Sequence, residues 1–255
     1  SKRTDLKAHP TRLGLALEGR GQVVAIRGAA GIGKSAEAAA ALAEAARYGV
    51  RRLTGECVSY RSASPYLVWR PILRGLLGLD GTPPEQHAAS VAAHVRALDP
   101  RLLPRLPLLN ALAGLQLPES DLTAAMDSED RKLATEALAG DLIAAATAEG
   151  PLAIVLESCQ WIDPLSRDLL ASVARRSAGL PLLLLFAYRG APEAHEEWAG
   201  PLRSLQLPHF VELQLGEVAN GERRVLAGRS GGETLVLSPP ATLQGGDRVA
   251  RQTSR

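Results

Sequence analysis

The run Val23-Val24-Ala25-Ile26-Arg27-Gly28-Ala29-Ala30-Gly31-Ile32-Gly33-Lys34-Ser35 decides the fold. Its first four residues are apolar without alternation, the mark of a strand buried on both faces in a parallel sheet. Gly28 to Ser35 then matches GxxxxGK[ST]. The Ala-rich segment Lys34 to Tyr48 reads as a helix that stops at Gly49. A strand, a glycine-rich loop and a helix in that order form the context in which this pattern cradles phosphate. Glycines let the backbone turn tightly and set its N–H groups against phosphate oxygens, and the helix N-terminus adds positive potential. The candidate nucleotide-binding residues are therefore Gly28, Ala29, Ala30, Gly31, Ile32, Gly33, Lys34 and Ser35. Lys34 would neutralise the β- and γ-phosphates, and Ser35 would offer its hydroxyl to Mg²⁺. The competing reading is a glycine-rich turn with a chance Lys-Ser, and the strand–helix context weighs against it.

Outward from this run, Leu152 to Leu156 and Leu182 to Tyr188 are also apolar without alternation. Val50 to Thr54 and His209 to Leu215 alternate or carry charge, which suits edge strands. Five strands follow, three central and two at the edges. Pro65 to Leu79, Pro84 to Leu98 and Glu129 to Ala148 have helical character, and Asp163-Pro164 opens a helix through Arg176, with Asp163 as N-cap. Alternating strands and helices predict an α/β doubly wound sheet. The gap from Ser59 to Gly150 exceeds one crossover, so a helical insertion is expected at about 60–150 between strands two and three. The core domain then runs over 1–215. Beyond Leu215, Gly231-Gly232, Pro239-Pro240 and Gly245-Gly246 punctuate a polar stretch. Residues 216–255 are expected to be an irregular tail or the truncated start of a helical lid.

Composition narrows the partners. Of 255 residues, 46% are apolar and 22% charged, as in an ordinary globular chain. Aromatics are 4%, too few for stacking platforms on single-stranded nucleic acid. Lys and Arg number 29 against 27 Asp and Glu, so no strong pull toward nucleic acid or an anionic membrane follows. Cys57 and Cys159 cannot make a disulfide framework and have no metal-ligand spacing around them, so a reducing, cytoplasmic location is expected. Their thiols would lie near one another only if the strands they follow are neighbours in the sheet. The uncharged stretch Ser177 to Tyr188 is too short to span a bilayer, and the N-terminal apolar run Leu13 to Leu17 is too short for a signal peptide.

A phosphate loop of this kind works with an acid across from it that holds the Mg²⁺ hydration shell. Glu157 stands where the apolar residues Ile154-Val155-Leu156 stop, at the carboxyl edge of the sheet, where doubly wound folds bind ligands. The run Leu156-Glu157-Ser158-Cys159-Gln160-Trp161-Ile162-Asp163-Pro164 resembles the Walker B region of AAA+-related signal-transduction NTPases, the STAND class. It is most similar to the ATPase module attached to class III adenylate cyclases and related bacterial regulators. Gly55 to Tyr60, Pro65-Tyr66-Leu67-Val68-Trp69-Arg70 and Tyr188-Arg189 extend the resemblance over most of Gly21 to Leu215.

The resemblance implies a P-loop NTPase with a five-stranded parallel sheet in the order 5-1-4-3-2, flanked by helices. It implies Glu157 as Mg²⁺ ligand and catalytic acid, and Arg189 as a sensor that reads the γ-phosphate. ATP and Mg²⁺ are the implied cofactors. The implied setting is a regulatory module of a larger signalling protein, in contact with that protein's other domains and capable of nucleotide-dependent assembly. Ser158 replaces the family's second acid and Gln160 its usual His. A hydroxyl is a poor proton acceptor at neutral pH, so slow hydrolysis is expected. The family's Gly-Arg-Glu box has no counterpart before Gly21, leaving adenine versus guanine open, and its Gly-Asn-Pro lid stretch is not found by Arg255. The resemblance thus implies a chain cut at both ends.

Other readings remain: a DNA-associated initiator or loader ATPase, an ATP-binding pseudo-enzyme, or a phosphotransferase using Arg70, Arg74, Arg96, Arg101 and Arg105. Trp161 is expected to pack against the insertion. Arg175-Arg176 reads as a solvated face, with an arginine finger to a neighbouring protomer as the weaker reading.

Overall fold

The apolar runs become the middle of a sheet because helices cover both of their faces. A computed structural model describes residues 12–59, 65–190, 205–219 and 222–227. Its strands are β1 (Gln22–Gly28), β2 (Arg51–Glu56), β3 (Leu152–Glu157), β4 (Leu182–Arg189), β5 (Phe210–Ala219) and β6 (Glu222–Ala227). The helices are α1 (Arg12–Leu17), α2 (Lys34–Arg47), α3 (Trp69–Leu76), α4 (His87–Leu98), α5 (Leu109–Ala113), α6 (Asp121–Ala124), α7 (Ser128–Glu149) and α8 (Pro164–Arg176).

The sheet order is β2-β3-β4-β1-β5-β6. Strands β1 to β5 are mutually parallel and stand in the expected order, with β1, β4 and β3 inside. The sixth strand is new: β6 pairs antiparallel to β5. Within the stretch expected to start a lid or an irregular tail, Glu222–Ala227 thus adds a strand to the sheet. The signal is Asn220-Gly221, the dipeptide preferred in two-residue hairpin loops, between the paired Ala219 and Glu222. Residues 228–255 lie outside the described residues.

Each sheet face has its own core. On one, Val24, Ile26, Val155 and Leu185 meet α1 and α2. Helix α2 docks through Ala38, Ala41 and Ala45, all buried, so its backbone lies close to the strands. On the other, Val23, Ile154, Leu184 and Phe186 meet Trp69, Ile72, Leu73, Leu138, Leu142 and Leu169. The segment between β2 and β3 therefore supplies α3 and α7 as cover for the sheet.

One expected helix is shortened, and one further helical stretch appears. The segment Pro65 to Leu79 is helical only over Trp69–Leu76, because Tyr66 takes the left-handed conformation at φ 58°. Pro100–Leu108 forms a 3-10 helix, since Pro104 and Pro107 deny amide donors to a longer ladder.

The runs Pro65–Arg70 and Gln160–Pro164, distant in sequence, meet in space. Asp163 caps α8 by accepting from the Ser166 N–H at 2.9 Å. Trp69, fully buried, donates its indole N–H to the Ser166 carbonyl at 3.1 Å. Burial, helped by Glu136, Asp163 and Asp168, pushes the Tyr66 phenol up to about 12. Only glycine fits at position 55, where a Cβ would sit 2.0 Å from the Val68 carbonyl oxygen.

Truncating Trp69 removes the largest side chain of this core and its bond to the Ser166 carbonyl. Trp69→Ala is expected to cost about 3–5 kcal/mol in urea unfolding, and Trp69→Phe clearly less.

Candidate functional site

At the carboxyl edge of the sheet, β1 ends at Gly28 and the chain turns into α2 at Lys34. The turn needs left-handed backbone at Gly31 (φ 72°) and Gly33 (φ 99°), which glycine takes without strain. Ile32 packs inward against the α2 side of the core, and a Cβ at Gly28 would sit 2.7 Å from its Cγ2. Lys34 curls back onto its own loop, with Nζ donating to the carbonyls of Gly28 at 3.0 Å and Ala29 at 2.7 Å.

A cavity of about 250 Å³ opens here. Ala30, Gly31, Gly33, Lys34 and Ser35 line it from the loop, and Ser158, Gln160 and Arg189 from across it. Arg189 is the register partner of Gly28, so the sheet itself brings it beside the loop. Burial first, and the Arg189 charge second, hold the Lys34 ammonium below its ordinary range. Two cations thus share one cavity, whose wall includes the N-terminal turn of α2. That arrangement draws a polyanion.

The acidic turn is only partly as expected. Glu157 ends β3, half-buried, and its carbonyl accepts from the Cys57 N–H at 3.0 Å. It stands beside the cavity without lining it, and Ser158 and Gln160 take that place. Ser158 adopts φ 56°, a left-handed conformation that Asn and Asp accept more readily than most residues. Gln160 Oε1 accepts from the Arg189 N–H at 3.1 Å. Nothing in the local sequence pattern around Gln160 signals this bond.

Neighbouring residues fill out the surroundings. Cys57 and Cys159 are free and buried. Burial, then Cys57, push the Cys159 thiol well up, so it is a poor nucleophile. Trp161 is 43% exposed instead of packing against the insertion. The Arg176 guanidinium pairs with Asp141 within the chain. Among the described residues no group of three or more His, Cys, Asp or Glu could hold a metal ion, and no helix is long and apolar enough to cross a membrane.

A family model described as "AAA ATPase domain" matches residues 11–185. An uncharacterised protein of Rhizobium meliloti (strain 1021) is 30% identical over 205 residues, covering 73% of this chain. The chain spans only 18% of that relative's length. Among solved structures, a Walker-type ATPase of Pyrococcus abyssi is 14% identical, with a TM-score of 0.28, covering 83% of this chain and 57% of that one.

The lowered Lys34 pKa makes stability depend on pH. Well below the folded value, Lys34 is protonated whether folded or unfolded, and the penalty for burying its charge is fully present. As pH rises toward the ordinary value of 10.5, the folded chain releases this proton first. The unfolded chain then binds more protons, so this contribution to stability rises with pH. Urea unfolding over that window should show the gain in the nucleotide-free chain, a smaller gain in Arg189→Gln, and none from this group in Lys34→Met.

Proposed function

The chain belongs to the AAA ATPase domain family, and on that premise we propose that it is an ATP-binding regulatory module of the signal-transduction NTPase class. It would serve a larger multidomain bacterial protein, such as an adenylate cyclase-like regulator. The observation that carries the proposal is the pairing of Lys34 and Arg189 in one cavity with a glycine-rich turn. A triphosphate tail relieves the repulsion between these cations and meets the loop amides. Lys34 would exchange the Gly28 and Ala29 carbonyls for β- and γ-phosphate oxygens, with Arg189 beside the γ-phosphate. Mg²⁺, when bound, supplies charge neutralisation, and the Ser35 hydroxyl and the Glu157 carboxylate would hold it.

The larger setting draws support from the relative of which this chain spans 18%. Free, buried Cys57 and Cys159 suit a reducing cytoplasm. Hydrolysis is proposed to be slow, because Ser158 offers a hydroxyl where an acid would polarise water. The same residue favours a second reading, in which ATP is a structural ligand of a pseudo-enzyme. An initiator-type role on DNA draws no support from a net charge of +2. Arg101 and Arg105, considered for phosphotransfer, pair with Asp99 and Asp141 inside the insertion.

Calorimetric titration with ATP and ADP, with and without Mg²⁺, tests the reading. Both nucleotides should bind, ATP more tightly with Mg²⁺, and Lys34→Ala should weaken both by about tenfold or more. No heat of binding in the unaltered chain would refute it. Ser158→Asp, which suits the left-handed backbone, should raise ATP turnover by at least about tenfold, given that a positioned base contributes roughly 10²–10⁴-fold.

A further inference from the structure

Gln160 has a geometry that the nucleotide-binding reading leaves unused, and the inference from it rests on that reading. We propose that Gln160 distinguishes a nucleoside triphosphate from a diphosphate by donating its side-chain amide to the terminal phosphate.

The orientation of this amide is fixed by chemistry. The backbone N–H of Arg189 can only donate, so the group facing it at 3.1 Å must be Oε1. Nε2 then occupies the other branch of the amide, and it has no hydrogen-bond partner among the described residues. Gln160 lines the same cavity as Lys34 and Ser35, the residues that would meet the phosphates and Mg²⁺.

The turn that presents Gln160 is held on both sides. Cys159 just before it is fully buried, and its thiol donates to the Leu156 carbonyl at 3.5 Å. Asp163 just beyond is locked as the cap of α8. Gln160 is thus a donor on a rigid mount with one end already fastened to β4. A terminal phosphate oxygen satisfies Nε2, whereas a diphosphate leaves it to water. Because the same amide holds the Arg189 N–H, the presence of the third phosphate is also registered where β4 leaves the sheet.

The test compares calorimetric affinities for ADP and for the β,γ-imido analogue of ATP, both with Mg²⁺, in the unaltered chain, Gln160→Glu and Gln160→Met. Gln160→Glu keeps the shape and the acceptor for Arg189 but sets a negative oxygen against the phosphate. Its affinity for the analogue should fall about tenfold or more, as expected for losing a hydrogen bond to a charged group. Its affinity for ADP should change less than about threefold, well under the loss of one such bond. Gln160→Met should show the same selective loss. Equal weakening of both nucleotides, or no weakening of the analogue, overturns the assignment, because a side chain that merely shapes the turn moves both ligands together. Retained ADP affinity shows that the variants are folded. Failure of the unaltered chain to bind either nucleotide would instead sink the underlying reading, and that result is seen before any variant is made.

Discussion

Two positive groups held side by side at the end of a parallel sheet are the constraint on which the rest of this molecule depends. Neither Lys34 nor Arg189 gains from the other. Their proximity is imposed by the register that sets Gly28 opposite Arg189, and by a loop whose carbonyls hold the ammonium in place. Such an arrangement persists only if the backbone beneath it is rigid. That rigidity comes from β1 and β4, whose side chains are buried on both faces between helices.

The two faces achieve this differently. On the α2 side, small alanine side chains let the helix that begins at Lys34 lie close to the strands, which fixes where its N-terminal amides point. On the other side, bulky residues of α3, α7 and α8 interdigitate with β3 and β4. The first face positions the phosphate loop, and the second positions the turn carrying Ser158 and Gln160.

Most of the sheet was legible in the sequence because burial leaves a direct trace. Uninterrupted apolar runs marked β1, β3 and β4, and the phosphate loop and the Asp163 cap have local signatures. What was missed depends on non-local or weak signals. Strand β6 rested on Asn220-Gly221, overlooked amid a polar stretch. The helix expected from Pro65 loses its first turn to the left-handed Tyr66, a conformation imposed by the packed core around it and not by propensity. Trp161 was read from its type, yet the turn faces it outward. The Gln160–Arg189 bond requires β3 and β4 to be neighbours, so it becomes visible only once the chain is folded.

The indole of Trp69 makes the helical segment between β2 and β3 inseparable from the rest. It anchors that segment to the opening turn of α8, a few residues past Gln160. Excising the segment as though it were an appendage would remove α3 and α7 from one face of the sheet and uncover apolar side chains packed beneath them.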